Sequence, residues 1–236
     1  MQNTLTIAGR QFRAYFNGPV AYIVIALSLI LVGLAFWPPF FLINRASVRQ
    51  MFQFLSYTFV FALPAITMGL LADERRSGTL ELLITMPVRE AEVILGKFLG
   101  AVGLLAVLLL CTIPYPLSVS HFGPLDWGQV FTGYLGVFLQ GCAMIAFGVA
   151  ASSFTENQLV AFFVSFFLFG ILALLGWYLP LVPGAGASFV EWITFDFHRE
   201  SMGRGVVDTR DLVYFLSFAT IFLMLAFRAL ESRRWS

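Results

Sequence analysis

Six apolar runs, each close to 20 residues long, decide what this chain can fold into. They lie at about 19–37, 52–72, 97–119, 129–153, 158–180 and 212–230, and their cores hold no Asp, Glu, Arg or Lys except at the ends. A helix needs about 20 mostly apolar residues to cross a bilayer, so each run predicts one span. The rest of the composition agrees. Hydrophobic residues make up 59% and charged residues 11%, against about 45–50% and about 25% in ordinary globular domains. A soluble core of 236 residues has no room for 27 Phe, whereas lipid replaces the polar surface such a core lacks.

The net charge of +1 argues against a nucleic-acid partner, which usually needs a basic patch. Cys111 and Cys142 lie inside apolar runs without CxxC spacing and read as small core residues. Arg10 and Arg13 precede the first run, but no small-residue cleavage pattern follows it, so the run is read as a retained span. Orientation follows from Lys and Arg placement. With the N-terminus inside, nine basic residues fall on inner segments and five (Arg45, Arg49, Arg199, Arg204, Arg210) on outer ones. An even number of spans then puts both termini inside. Trp37, Trp127, Trp177 and Trp192 fall at the outer ends and Trp235 at the inner one, as interfacial anchors do. Gln140 and the glycines at 133, 136, 141 and 148 mark the fourth span as a packing helix.

Residues 1–18 precede the six-span domain, 19–236. Leu5, Ala8, Gly9, Phe12, Tyr15 and Phe16 recur at helical spacing, with Thr6, Arg10, Arg13 and Asn17 opposite. This predicts an amphipathic helix lying in the inner interface, with Leu5, Arg10, Phe12, Arg13 and Phe16 as its interfacial set. It serves either as an anchor or as a surface that also meets a cytoplasmic partner. Asn17-Gly18-Pro19 ends it. On the outer side, 181–211 opens with Pro183-Gly184-Ala185-Gly186, then returns to apolar residues between Phe189 and Phe197. A short re-entrant or interfacial helix pair is expected there.

Charge collects at one place. Asp73–Lys97 holds nine of the 27 formal charges (14 Lys+Arg and 13 Asp+Glu). Ser77-Gly78 interrupts the charged run, after which Leu80, Leu83 and Ile84 share a helical face and Glu81 lies on another until Pro87 stops the helix. The pattern predicts a short rod at the base of spans two and three that turns a push from a soluble partner into a tilt of both. An ordinary solvated loop carries the same pattern.

Absent motifs narrow the function further. No G-x-x-x-x-G-K-[ST] occurs; Leu95-Gly96-Lys97-Phe98 lacks the loop and the hydroxyl. No H-E-x-x-H occurs and no Ser/His/Asp set is indicated. His121 and His198 stand apart on outer loops and read as interfacial polar residues rather than metal ligands. The seven Met are scattered and make no copper-type site. Ion-driven transporters place ionisable groups or unwound polar helices at the midplane, and none is evident. Any substrate movement therefore draws its energy from another subunit, and the loop at 73–97 is the place to receive it.

Asp73-Glu74-Arg75-Arg76-Ser77-Gly78-Thr79-Leu80-Glu81-Leu82-Leu83, followed by Pro87-Val88, resembles the coupling-loop signature of ABC-2 type transporter permeases. Phe16-Asn17-Gly18-Pro19-Val20-Ala21-Tyr22-Ile23 is similar to that family's approach to its first span. Gly205–Asp211, with Leu230–Trp235 at the end, looks like the gliding-motility-type branch. The resemblance implies an all-α polytopic protein with six spans, an N-terminal amphipathic helix and outer re-entrant helices after the fifth span. It implies pairing with a second permease, identical or homologous, and with two ABC ATPase subunits that hold ATP and Mg²⁺, with no cofactor in this chain. The implied ATPase contact comprises Glu74, Arg75, Arg76, Gly78, Thr79, Leu80, Glu81, Leu83, Ile84 and Pro87, with Glu156 in the inner turn 154–158 as a lesser contact. Long outer domains found in many members are missing, which leaves large-substrate recognition to an extracytoplasmic accessory protein. The function implied is a permease subunit of an exporter in a bacterial cytoplasmic membrane. The gliding-motility likeness keeps a second reading open, a scaffold or force-transmitting subunit of an envelope or motility machine that translocates nothing. A stand-alone channel is disfavoured, since no charged or carbonyl-rich filter stands out.

Overall fold

A computed structural model describes residues 2–43, 47–78, 89–178 and 190–231. Every regular element among them is a helix: α1 Gln2–Asn17, α2 Val20–Ile43, α3 Arg49–Thr67, α4 Ala72–Arg76, α5 Glu90–Thr112, α6 Pro114–Phe122, α7 Trp127–Phe154, α8 Gln158–Tyr178, α9 Phe195–Gly203 and α10 Thr209–Glu231. Six stretches are long and apolar enough to cross a membrane: Val20–Leu42, Arg49–Arg76, Glu90–Phe122, Trp127–Phe154, Gln158–Tyr178 and Thr209–Glu231. Each contains one of the six apolar runs or most of it.

Two spans outrun their apolar windows for local reasons. The first continues through Pro38 and Pro39 to Ile43, where Phe36, Trp37, Phe40 and Phe41 pack against Tyr115 and Phe122. That aromatic cluster holds the last turns although each proline removes a ladder donor. The third begins at Glu90, well before Lys97. Glu90 and Glu92 suit the positive end of the helix dipole, and the Glu92 carboxylate accepts the Arg89 N–H at 3.2 Å.

The fourth span is the central post. Its most apolar window is 72% buried, against 22% for the fifth span and 17% for the sixth. Glycine explains how neighbours come so close: at Gly133, Gly141 and Gly148 a Cβ would collide with Phe52, Leu105 and Thr67. Gln140 sits in the same stripe and donates from Nε2 to Ser56 Oγ at 2.6 Å. The outward faces of α8 and α10 remain apolar, with Phe163, Phe167, Ile171, Leu216, Ile221 and Met224 exposed. Cys142 is half-buried, but Cys111 is exposed. It falls beside Leu110 on the outward face of α5, which corrects its reading as a core residue.

At one end of the bundle α1 lies against α5. Ile7, Gln11 and Phe12 sit over Gly96, Gly100 and Gly103, so closely that a Cβ at Gly96 or Gly100 would stand 2.7 Å from the Ile7 or Gln11 Cβ. The face that meets protein is thus rotated from the apolar face the periodicity marks. Tyr15 is buried, yet Leu5 is 68% exposed and shares a shallow groove with Arg10 and Arg13. The glycine row on α5 sets this rotation, because it lets the α1 backbone seat where a polar Gln11 fits. Phe12 and Phe16 pack with tilted rings at 5.0 Å and Phe16 meets Tyr22 edge-on at 5.9 Å, joining α1 to the first span.

At the other end α9 folds back onto α7 and α8. Met202 covers Gly136 and Phe195 meets Phe169. Residues 190–193 are also helical, while 179–189, which include the whole of the predicted flexible break, lie outside the described residues. His198 does not stand apart here. It is buried, its Nδ1 is 2.8 Å from Asp211 Oδ1, and its Nε2–H donates to the Trp192 carbonyl at 3.0 Å. The physical reason is that α9 turns its polar face toward the start of α10, where Asp211 is equally buried and requires partners.

Candidate functional site

The charged segment after the second span is built on a break in that span. The α3 ladder stops at Thr67 and residues 68–71 turn before α4 restarts at Ala72. A broken helix buried in a membrane protein must find other partners for its freed backbone groups. Ser152 at the end of α7 supplies several. Its Oγ accepts the N–H groups of Leu71 and Ala72, both at 3.0 Å, and donates to the Met68 carbonyl at 3.0 Å. That uses both lone pairs and the proton of one hydroxyl. The Leu70 carbonyl accepts from Lys97 Nζ, reaching over from α5.

Lys97 is 4% exposed, so its charge demands an anion. Glu74 provides it, with Oε1 2.8 Å from Nζ. Arg75 lies alongside with its side chain 5% exposed; Nη1 donates to the Ser153 carbonyl at 2.6 Å and Nη2 reaches Glu156 Oε1 at 3.4 Å. Gln158 Nε2 donates to Asp73 Oδ1. The turn between α7 and α8 is shaped for this by Thr155 Oγ1, which accepts the Asn157 N–H, and Asn157 Oδ1, which accepts the Leu159 N–H. Four residues of α4, Ala72 to Arg75, are thereby fastened to the third, fourth and fifth spans. From α1, Tyr15 donates to the Ile66 carbonyl in the last turn of α3 at 3.0 Å, and burial raises its phenol above the usual tyrosine range.

The implied contact residues fall on both sides of this knot. Glu74 and Arg75 point to partners within the chain, Arg76 is exposed, and Glu156, in the turn between α7 and α8, pairs with Arg75. Gly78 ends α4 with φ +69°, a left-handed conformation that favours glycine. Thr79, Leu80, Glu81, Leu83, Ile84 and Pro87 lie outside the described residues. Arg10 and Arg13 are exposed on α1, while Phe12 and Phe16 are half-buried.

Sequence reasoning missed Lys97, Ser152 and Ser153 as parts of the site. The one available signal was a Ser-Ser pair closing an apolar run; Lys97, at the start of its run, carried none. What it could not reach was the pairing of Asp73 with Gln158, 85 positions apart.

The geometry defines a class: a multi-pass helical membrane protein with an ordered, cross-braced charged segment at one end. Comparison with known families places it within that class. Residues 5–233 match the ABC-2 family transporter protein family, and the chain belongs to it. Membership makes it the membrane permease component of an ABC transporter, associated with ABC ATPase subunits and not itself the catalytic ATPase. No curated protein matches this chain.

Proposed function

We propose that this chain forms half of the translocation path of an ATP-driven exporter in a bacterial cytoplasmic membrane, with both termini inside. The other half is a second permease, identical or homologous. Two ATPase subunits bind ATP and Mg²⁺ and close on hydrolysis-competent nucleotide. The segment from Glu74 to Val88 receives that motion, with the hydrophobic row Leu80, Leu83 and Ile84 seated on the ATPase.

One observation carries this reading. The α4 segment that leads into the docking residues is fastened to α5 by Lys97–Glu74, to α7 by Ser152 and Arg75–Ser153, and to the turn before α8 by Arg75–Glu156. A push on it moves four spans together. The motion is thus spread wider than a tilt of spans two and three alone. Arg76, exposed and beyond the knot, remains on the ATPase side.

Docking is tested by copurification of the cognate ATPase from membranes. Leu80→Ala with Leu83→Ala is expected to reduce recovery about tenfold or more, since each truncation of an interface anchor costs about 1–2 kcal/mol. Undiminished recovery would remove the docking assignment. Glu74→Ala is the poorer test, because it also strips Lys97 of its anion.

A further inference from the structure

The cleft at the opposite end, between α9 and α10, is a built site that the transport reading does not use. It measures about 680 Å³ and is lined by Trp192, Phe197, Glu200, Arg204, Arg210 and Tyr214 among others. A volume of about 300–1,000 Å³ is usual for small-ligand sites. Two helical faces make its walls: Phe197, Glu200 and Ser201 on α9 with Arg204 just past its end, and Arg210, Val213, Tyr214 and Ser217 on α10. Both sets follow i, i+3, i+4, i+7 spacing. The floor is rigid. His198 and Asp211 are both buried, Ser201 Oγ donates to the second Asp211 oxygen, and the His198 ring stacks on Tyr214 at 3.9 Å.

The chemistry of the rim is mixed in a definite way. Two guanidiniums, Arg204 and Arg210, face two carboxylates, Glu200 and Asp208. Arg204 is paired with Glu200 at 2.6 Å, and Asp208 Oδ1 accepts the Arg210 backbone N–H at 2.9 Å. Among the described residues the Arg210 side chain has no ion-pair partner. Trp192 is 65% exposed and Phe197 47%, and an exposed aromatic face beside carboxylates suits an organic ammonium. From Arg210 the α10 wall runs about 10 Å along the span at 1.5 Å per residue, past Val213, which is 64% exposed. Cation, anion and alkyl chain therefore each have a place, in the order a zwitterionic membrane lipid presents them.

We propose that this cleft binds the headgroup of a zwitterionic phospholipid. The phosphate lies at Arg210, the ammonium against Trp192 and the carboxylates, and the first methylenes run along Val213 and Ser217. Lipid capture here needs neither ATP nor a second permease, so its failure would leave the transport reading intact.

The test uses the full chain, delipidated in detergent and titrated with dioleoylphosphatidylethanolamine or dioleoylphosphatidylglycerol, with bound lipid counted by native mass spectrometry. One phosphatidylethanolamine is expected to bind in preference to phosphatidylglycerol. Arg210→Gln and Trp192→Leu, both at exposed positions, are each expected to weaken it about tenfold, with melting temperature unchanged. Arg13→Gln, at the far end, is expected to leave it unaltered. Equal binding by wild type and both variants, or a preference for phosphatidylglycerol, would overturn the site. Equal competition by water-soluble glycerophosphoethanolamine at the same concentration would overturn its assignment to lipid.

Discussion

Lys97 carries the heaviest local constraint in the molecule. Its ammonium is buried among apolar spans and is stabilised by one carboxylate and one carbonyl released by the break in the second span. Removing one partner of a buried pair leaves the other charge uncompensated, at a cost of about 3–5 kcal/mol. Lys97→Met is expected to lower unfolding free energy in detergent by about 3 kcal/mol, and Lys97→Met with Glu74→Leu to recover most of that loss. Tyr15 offers a pH signature of a different kind. Burial raises its phenol above the ordinary 10.0, so its hydrogen bond to Ile66 contributes in full below that value and is lost as pH rises through the elevated one. The fall in thermal stability above about pH 10 is expected to be shallower in Tyr15→Phe, as read by melting curves across the alkaline range. Neither role was legible in sequence. A lysine at the end of an apolar run looks like an interfacial charge until the helix is known to begin at Glu90, seven residues earlier.

At the scale of elements, the six spans were legible because apolar runs of sufficient length admit one solution in a bilayer. The face of α1 that meets protein was not. Periodicity reports which residues avoid water, and in a membrane protein that includes residues facing lipid; Leu5, on the apolar face, is exposed. The protein-facing side is selected instead by the glycines of α5, under Ile7, Gln11 and Phe12. Gly100→Leu is therefore expected to lift α1 off the bundle. Trypsin would then cut at Arg10 and Arg13 faster than in wild type, by roughly tenfold for about 1.4 kcal/mol of lost docking, while the spans stay intact on a gel. The pairing of His198 with Asp211 was hidden for a similar reason, since thirteen residues and a turn separate two groups that only the return of α9 brings together.

The whole molecule has two polar ends of different character joined by an apolar bundle around α7. One end is cross-braced: α4 is held by Ser152, Ser153, Lys97 and Glu156 from three different spans or their turns. The family resemblance in the coupling segment located this end without revealing the bracing, because its partners are serines and backbone carbonyls that carry no motif. If the bracing transmits force, docking and transmission are separable properties, and Ser152 distinguishes them. Its hydroxyl bonds to Met68, Leu71 and Ala72, upstream of the proposed docking row, and fastens the broken second span to the fourth. The direct measurement is ATP hydrolysis by the assembled complex carrying Ser152→Ala, with ATPase recovery measured on the same preparation. The expected result is full recovery of the ATPase with permease-dependent stimulation of hydrolysis reduced several-fold; unchanged recovery together with unchanged stimulation would contradict the account.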